Sequence, residues 1–411
     1  MRVLILSATT GGGHMRAANA LKEYIKSINP YSAVRITDTI QYISPTLNKA
    51  VTEGYVYLAT KTPKLFGYVY KSADTVDTTL NKTVEIVSST VRNKLKPMLD
   101  DFQPDIIVTT HPFAAEIFTA LKSHTGIPIP IISIVTDFAI HQTYINDLVD
   151  AYILSSREMV SQMVDRGVDR VKLYPYGIPV KQEFYKHYER EKSFESEGMN
   201  PDIPTILIMA GSFGVTDILK IYHKIVKSPA NFQVIVITGK NEKLYDTFDR
   251  YLSKINLNNT ILSIDKSSRP VSITRLSRHR KPSKPTKLMY YTNEVEKYMQ
   301  MADMIVTKPG GLTVSEAIAT GLPMGIFKAI PGQEEQNADF LIREHMAVRL
   351  EKDNSCTRTI TDLISHPEKL EAMSKAIKDF SKGNSSANIY ILMKELLKKY
   401  GNEEAIDRKE E

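Results

Sequence analysis

The chain has 411 residues, a length that suits two or three domains and excludes a single small module. Its 42% hydrophobic and 24% charged residues are typical of a globular protein and exclude a disordered or collagen-like chain. The net charge of +6 favours anionic partners without distinguishing nucleotides, nucleic acids and acidic lipids. Cys356 is the only cysteine, so intrachain disulfides and cysteine-based zinc sites are excluded, and a reducing compartment fits best.

Two apolar stretches have the composition, but not the length or continuity, of membrane-targeting segments. Met1 to Ala8 is too short for a signal peptide and leads into glycines, which predicts a first buried strand. Ile127 to Ile140 is interrupted by Pro128 and Pro130 and contains Asp137, so it is not a spanning helix. We therefore expect no signal peptide and no transmembrane helix.

Short β-rich apolar runs alternate with segments of helical period, the pattern of βα units in parallel sheets. The first predicted strands are Arg2–Ala8, Val34–Asp38, Asp105–Thr109, Ile131–Thr136 and Ala151–Ser155. The second series is Thr205–Ala210, Gln233–Thr238, Met304–Thr307 and Pro323–Phe327, with further helix from about Thr357 to Tyr400. This order predicts two doubly wound α/β domains, whose ligand lies in the cleft between them at the carboxyl ends of the strands.

The predicted domains are residues 1–182 and 205–382, joined by a charged linker at 183–204 and followed by a helix and charged tail at 383–411. Residues 41–96 interleave aromatic residues with lysines, which suits a membrane–water interface or an ordinary helical insertion. Residues 266–287 hold basic residues and no acid, which suits a solvated loop or a loop that touches lipid headgroups or nucleic acid.

A glycine-rich turn follows the first predicted strand and ends in His14. Glycines at a strand-to-helix turn let another molecule approach the backbone. A histidine in the first turn of a helix should have a lowered pKa and stay neutral, as a general base must be. The turn lacks the G-x-G-x-x-G spacing, which weakens a dinucleotide-binding interpretation.

Further polar segments follow other predicted strands. Asp137 and His141 are four residues apart. They suit either a pair that activates an alcohol, or an aspartate that caps a turn and a histidine on the surface. Gly310 and Gly311 open a helix whose amide N–H groups can hold a phosphate, with Glu316 placed to accept hydrogen bonds from a ribose. A polar cluster from Pro331 to Asn337 suits the recognition of sugar hydroxyls.

Several motifs are absent from the sequence. It contains no D-x-D and no H-E-x-x-H, so metal-bridged diphosphate chemistry has no obvious ligands. It also lacks the P-loop G-x-x-x-x-G-K-[ST] and the G-x-S-x-G elbow, which weakens kinase, NTPase and hydrolase interpretations.

Four segments in this order, Thr10–His14, Thr136–His141, Thr307–Ala317 and Pro331–Asn337, carry a resemblance. The chain resembles the monogalactosyldiacylglycerol synthase and processive diacylglycerol glucosyltransferase family, of the same clan as the muramyl-pathway N-acetylglucosaminyltransferase. The resemblance spans about Met1 to Tyr400. It implies a GT-B glycosyltransferase fold, in which two Rossmann-like, doubly wound α/β domains face an inter-domain cleft.

The resemblance also implies an activity and a location. The family moves a hexose from a UDP-sugar to the hydroxyl of diacylglycerol with inversion, forming a β-glycoside, and needs no metal or other cofactor. It works as a peripheral, monotopic protein on the cytoplasmic face of the cell membrane, on an anionic lipid surface, without nucleic acid. Residues 41–96 then become the membrane-docking segment of the acceptor domain.

Carried over to this sequence, the family motifs assign His14 as the catalytic base, with Asp137 as runner-up. The implied UDP-sugar contacts are Gly211, Ser212, Phe213, Thr292, Gly310, Gly311, Thr313, Glu316, Gln333, Glu334 and Asn337. The implied acceptor contacts are Gly12, Gly13, His141 and Tyr144, the last standing where the family often has Trp.

Alternatives stay open. The same fold suits a transferase that moves N-acetylglucosamine from its UDP-sugar to another lipid-linked acceptor. It also suits a UDP-sugar epimerase, or a non-catalytic membrane protein that senses UDP-sugar. Glucose is favoured over galactose as the donor sugar, although no side chain in the sequence decides between them. The sequence also leaves open the number of sugars added, the oligomeric state, the role of residues 266–287, and whether His14 or Asp137 is the base.

Overall fold

The computed structural model describes residues 1–9, 12–46, 48, 94–209, 218–255, 260–264, 270–274, 284–327 and 329–407. The chain forms two compact units. The first comprises Met1–Gln182, Ile330–Asn337 and Lys382–Glu411, and the second comprises Glu183–Ala329 and Ala338–Ser381. Residues 183–204, predicted as a linker, contain a helix at Arg190–Glu197 and fall within the second unit.

The described strands alternate with helices along most of the chain. The strands are β1 (Arg2–Ser7), β2 (Ala33–Asp38), β3 (Ile106–Thr109), β4 (Ile131–Ile134), β5 (Ala151–Ile153), β6 (Leu173–Tyr174), β7 (Thr205–Met209), β8 (Gln233–Ile237), β9 (Thr260–Ile264), β10 (Pro270–Thr274), β11 (Thr286–Met289), β12 (Met304–Thr307), β13 (Met324–Ile326) and β14 (Ala347–Arg349).

The labelled helices follow the same numbering along the chain, and residues 94–102 are also helical. They are α1 (Gly13–Ile28), α2 (Thr39–Ile43), α3 (Pro112–Thr125), α4 (Glu158–Asp165), α5 (Arg190–Glu197), α6 (Ile218–Ile225), α7 (Glu242–Ile255), α8 (Val295–Met301), α9 (Gly311–Thr320), α10 (Gln333–Arg343), α11 (Asn354–Ser365), α12 (Pro367–Phe380), α13 (Ser385–Lys399) and α14 (Glu404–Asp407).

The first unit contains a six-stranded parallel sheet in the order β2-β1-β3-β4-β5-β6. Because the side chains of a strand alternate between the faces of a sheet, β1 contributes to two cores. Val3 and Ile5 pack in the cluster that includes residues of α1 and α13, and Leu4 and Leu6 pack in the cluster that includes residues of α3. The strand order reverses between β1 and β3, which is the position where ligands bind in open α/β sheets.

The second unit contains an eight-stranded sheet in the order β14-β13-β12-β7-β8-β11-β10-β9. The strands from β14 to β11 are parallel, whereas β10 pairs antiparallel with both β11 and β9. The strand order reverses at β7, between β8 and β12. The carboxyl end of β12 leads directly into the loop before α9, which places the Gly310–Gly311 turn at a switch point of this sheet.

The basic stretch at residues 266–287 is not simply a solvated loop. Its described parts include all of β10 and the start of β11, and Lys287 is buried within β11. The Lys287 Nζ lies 2.7 Å from a carboxylate oxygen of Glu197, whose other oxygen lies 2.5 Å from the Nζ of Lys297. Opposite charges therefore explain how this lysine is buried. Residues 265–269 and 275–283 lie outside the described residues.

The membrane predictions concern residues that the structure covers only in part. Among the helices of the described ranges, none combines the length and the apolar composition needed to cross a bilayer. The predicted docking segment at 41–96 falls mostly outside the described residues, which omit 49–93.

Candidate functional site

The first unit presents His14 at the carboxyl end of β1. Gly12 adopts φ 73°, in the left-handed region that favours glycine, and Gly13 begins α1. His14 therefore lies in the first turn of this helix, as the sequence predicts. The loops that follow β3 and β4 reach the same place, because parallel strands end at one edge of the sheet.

Internal hydrogen bonds orient the His14 ring. Its Nδ1 lies 2.7 Å from the carbonyl oxygen of Thr110 and 2.9 Å from the Oγ1 of Thr136. Because a carbonyl oxygen can only accept, Nδ1 must carry the proton, and the lone pair of the neutral ring is on Nε2. Within the part of the chain that the structure describes, no hydrogen bond reaches that Nε2.

Burial lowers the pKa of His14 to about 4, and the hydrogen bond to Thr110 opposes this only in part. The imidazole is therefore neutral at physiological pH and able to accept a proton. A lowered pKa is what the sequence predicts, and its largest cause in the structure is desolvation of the ring.

A second histidine, which the sequence analysis does not single out, lies against the first. The ring of His111 meets that of His14 edge to face, with centroids 4.6 Å apart. Its Nδ1 accepts a hydrogen bond of 3.1 Å from the Phe113 N–H and so caps α3, which begins with Pro112. Its place directly after a predicted strand is the signal that would have identified it.

Asp137 is buried in the segment that follows β4, and two amide side chains hold it. Gln333 donates to one carboxylate oxygen, and the Nδ2 of Asn337 lies 3.2 Å from the other. Asn337 also accepts a hydrogen bond of 2.8 Å from the Phe138 N–H. Burial raises the pKa of Asp137 to about 6, although both amides lower it and the nearby Glu334 raises it.

The structure thus joins one predicted base to two predicted sugar contacts. Gln333 and Asn337 lie in α10, and their amide groups are engaged with Asp137, 196 and 200 residues earlier in the chain. Glu334 accepts a hydrogen bond of 2.9 Å from the Ile330 N–H, at the start of the same helix. Their contacts with a sugar stay predictions.

Two predicted acceptor contacts follow Asp137. His141 is buried, so it is not a surface histidine, and its Nδ1 caps the short 3-10 helix Gln142–Tyr144 through the Thr143 N–H at 3.3 Å. Tyr144 is also buried, and burial raises the pKa of its hydroxyl above the usual range. Both residues are therefore buried, and Tyr144 packs in the hydrophobic cluster that includes residues of α3.

The second unit carries the predicted phosphate site at the start of α9. Gly310 is the N-cap, and no side chain caps this helix in the described part of the chain. Gly310 has an ordinary φ of −72°, and a Cβ built on it would meet no atom within 4 Å among the described residues. Backbone conformation thus does not require glycine here, whereas close approach of another molecule would.

The other predicted donor contacts are placed as follows. Thr313 and Glu316 are buried in α9, and the Thr292 Oγ1 accepts a hydrogen bond of 3.0 Å from the Glu294 N–H. Gly211, Ser212 and Phe213 lie outside the described residues. The described ranges also bring no three His, Cys, Asp or Glu side chains together in a group that would hold a metal ion.

Comparison with known proteins matches the chain to two family models. Residues 14–180 match the model of monogalactosyldiacylglycerol (MGDG) synthase, and residues 205–389 match that of the glycosyltransferase family 28 C-terminal domain. The chain thus contains a region that matches MGDG synthase, followed by a glycosyltransferase family 28 C-terminal domain. The resemblance inferred from four sequence segments is thereby confirmed.

Relatives of this MGDG synthase-like chain match along most of its length. The processive diacylglycerol beta-glucosyltransferase of Bacillus subtilis is 28% identical over 401 residues, covering 97% of this chain and 95% of the relative. The protein of the same name from Bacillus pumilus is 27% identical over 391 residues, covering 94% of this chain and 93% of the relative.

Solved structures confirm the two-domain α/β fold. MurG of Acinetobacter baumannii superposes with a TM-score of 0.58 at 14% identity, covering 96% of this chain and 99% of that one. UDP-GlcNAc 2-epimerase from Neisseria meningitidis, bound to UDP-GlcNAc, gives 0.56 at 15% identity, covering 97% and 100%. At this identity the similarity concerns the fold alone.

Proposed function

We propose that the protein is an inverting hexosyltransferase that moves glucose from UDP-glucose to the hydroxyl of diacylglycerol at a membrane surface. The observation that carries the proposal is the neutral His14, held through Nδ1 with Nε2 available, in a segment that matches MGDG synthase. Relatives in two Bacillus species are named diacylglycerol beta-glucosyltransferases, and these names support diacylglycerol as the acceptor, glucose as the sugar and a β-linkage in the product.

The proposed reaction is a single displacement at the anomeric carbon. The hydroxyl oxygen of diacylglycerol forms a bond to this carbon while the bond to the UDP oxygen breaks. The hydroxyl proton passes to Nε2 of His14, and UDP leaves with the bonding electron pair. Attack opposite to the leaving group converts the α-linked donor into a β-glycoside.

The α9 N-terminus is proposed to hold the departing diphosphate. Within the described residues its first amide N–H groups lack a side-chain cap, and the space that these residues leave beside Gly310 has room for phosphate oxygens. The positive end of the helix dipole and these donors would stabilise the charge that develops on UDP. This arrangement fits the absence of D-x-D from the sequence, and we propose that the transfer needs no metal.

The test is a transfer assay on vesicles that contain diacylglycerol, with and without anionic lipid. Purified protein is incubated with radiolabelled UDP-glucose, or with UDP-galactose in parallel, and the lipids are then extracted. Label in the organic phase with glucose, released by a β-glucosidase and unaffected by EDTA, is the expected result. Co-flotation of the protein with anionic vesicles checks the proposed location at the membrane surface.

Other outcomes would replace the proposal. Absence of labelled lipid with either donor would overturn diacylglycerol as the acceptor, and transfer from UDP-GlcNAc to another lipid-linked acceptor would take its place. Interconversion of UDP-sugars without lipid would identify an epimerase. Binding of UDP-sugar without turnover, with His14 intact, would identify a sensor.

A further inference from the structure

His111 is a half-buried imidazole to which the proposed reaction gives no role. Its Nδ1 accepts the hydrogen bond from the Phe113 N–H, so a neutral His111 holds its proton on Nε2. The two rings stand at 74° to each other, with centroids 4.6 Å apart. This is the edge-to-face geometry that aromatic pairs prefer, and the contact covers part of the His14 ring.

The turn from β3 to α3 therefore holds His14 in two ways. The Thr110 carbonyl accepts a hydrogen bond from the Nδ1–H of His14, and the next residue, His111, supplies a ring that packs against the imidazole. The turn is itself fixed, because the Thr110 N–H donates to the Leu6 carbonyl at 3.1 Å and its hydroxyl donates to the Ser7 hydroxyl at 2.8 Å. A rotation of the His14 ring would break the first contact and disturb the second.

We propose that His111 is a positioning residue for His14, whose ring keeps Nε2 of the proposed base oriented toward the acceptor hydroxyl and free of a proton. The proposal rests on the proposed function only for the role of His14 as the base. The contact between the rings does not depend on it.

The electrostatic surroundings support this role. Burial is the main cause of the low pKa of His14, and the His111 ring supplies part of that burial. The segment after β4 presents the uncharged hydroxyl of Thr136, with Asp137 and Tyr144 beyond it. Among the described residues, the titratable side chain that contacts the His14 ring is thus the other imidazole, and a proton on His14 further lowers the pKa of His111.

Two substitutions separate the ring of His111 from its capping hydrogen bond. His111→Asn removes the ring but keeps a favoured N-cap acceptor for α3. His111→Phe keeps a ring of similar shape but removes the acceptor. His124→Asn, at an exposed position in the last turn of the same helix, is the matched control.

The first readout is the titration of His14 by NMR of histidine-labelled protein without substrate. In His111→Asn we expect its midpoint to move up from about 4 by about one unit or more, as water reaches the ring. In His111→Phe and His124→Asn we expect little movement. Thermal unfolding should show the opposite order, with His111→Phe the less stable protein because it has lost the cap.

The second readout is the pH dependence of kcat/KM, which reports the pKa values of the free enzyme. His111→Asn should lose activity at a higher pH than the wild type, and its kcat at neutral pH should fall several-fold while KM for UDP-glucose changes little. If the His14 midpoint and the pH dependence stay at wild-type values in His111→Asn, the proposal is overturned. A wild-type protein without transferase activity would refute the proposed function instead, while the NMR titration would still decide whether His111 controls His14.

Discussion

The acidic side of the pH–rate profile distinguishes the two candidate bases. A general base works only when deprotonated, so activity is full above its pKa and is lost as the pH falls through it. His14 has its pKa lowered to about 4, and Asp137 has its pKa raised to about 6. Because burial moves the two pKa values in opposite directions, the imidazole becomes protonated at the lower pH, the reverse of the usual order for these residue types.

The difference is large enough to measure at pH 5. There about nine-tenths of His14 is in the neutral form, whereas only about one-tenth of Asp137 is ionised. With His14 as the base, we expect kcat/KM at pH 5 to stay close to its value at pH 7. With Asp137 as the base, kcat/KM would fall to about a tenth.

The assay measures kcat/KM from pH 4.5 to 8 in mixed micelles, with UDP-glucose and diacylglycerol below their KM values, because kcat/KM reports the pKa values of the free enzyme. Protein held at pH 5 and returned to pH 7 before assay controls for unfolding. His14→Gln should lower kcat by roughly a hundredfold or more while UDP binding is retained, and Asp137→Asn should keep the activity at pH 5 relative to pH 7. A tenfold loss at pH 5 in the wild type, together with an inactive Asp137→Asn protein, would refute the assignment of His14.

Three further predictions concern the second unit. Gly310→Ala should weaken UDP binding, measured by calorimetry, without lowering Tm, because its Cβ would meet only open space among the described residues. Gly325→Ala should cost about 1–3 kcal/mol in urea unfolding, because its Cβ would lie 2.7 Å from the Leu350 Cδ1. Glu197→Gln should cost roughly 1–3 kcal/mol at pH 7, because the buried Lys287 and the half-buried Lys297 lose their charged partner. Burial would raise the pKa of Glu197, but the two lysines lower it overall. The difference in unfolding free energy between the wild type and Glu197→Gln should therefore shrink as the pH falls through the lowered pKa of Glu197.

The alternation of apolar runs and helical segments was enough to predict most of the two sheets. The central strands, such as β1, β4 and β7, are buried on both faces and therefore appear as continuous apolar runs. Strand β6 has two residues, too few for a pattern. Strand β11 begins in a basic stretch that composition assigns to solvent, and only its pairing with Glu197 shows why Lys287 is buried.

The candidate site was predictable where function-bearing residues directly follow strands. His14 and Asp137 are predicted for this reason. His111 also follows a strand, but the sequence analysis does not select it, because the next residue, Pro112, suggests only the start of a helix. The contact of Asp137 with Asn337 could not be predicted, because nothing local relates residues 200 positions apart. The charge state of each group also depends on burial, which spacing along the chain does not reveal.

The hydrogen bond of His14 to a carbonyl constrains when the proton moves in the proposed transfer. A carboxylate partner would stabilise the imidazolium by its charge, whereas the Thr110 carbonyl is neutral and does so less. Burial makes His14 a weak base, with a pKa of about 4, and the hydrogen bond to the neutral carbonyl opposes this only in part. An alcohol proton becomes acidic only once its oxygen has begun to bond to the anomeric carbon, so a weak base accepts it late. The bond to UDP must then be largely broken before the proton leaves, which places most of the burden of catalysis on stabilising the departing diphosphate.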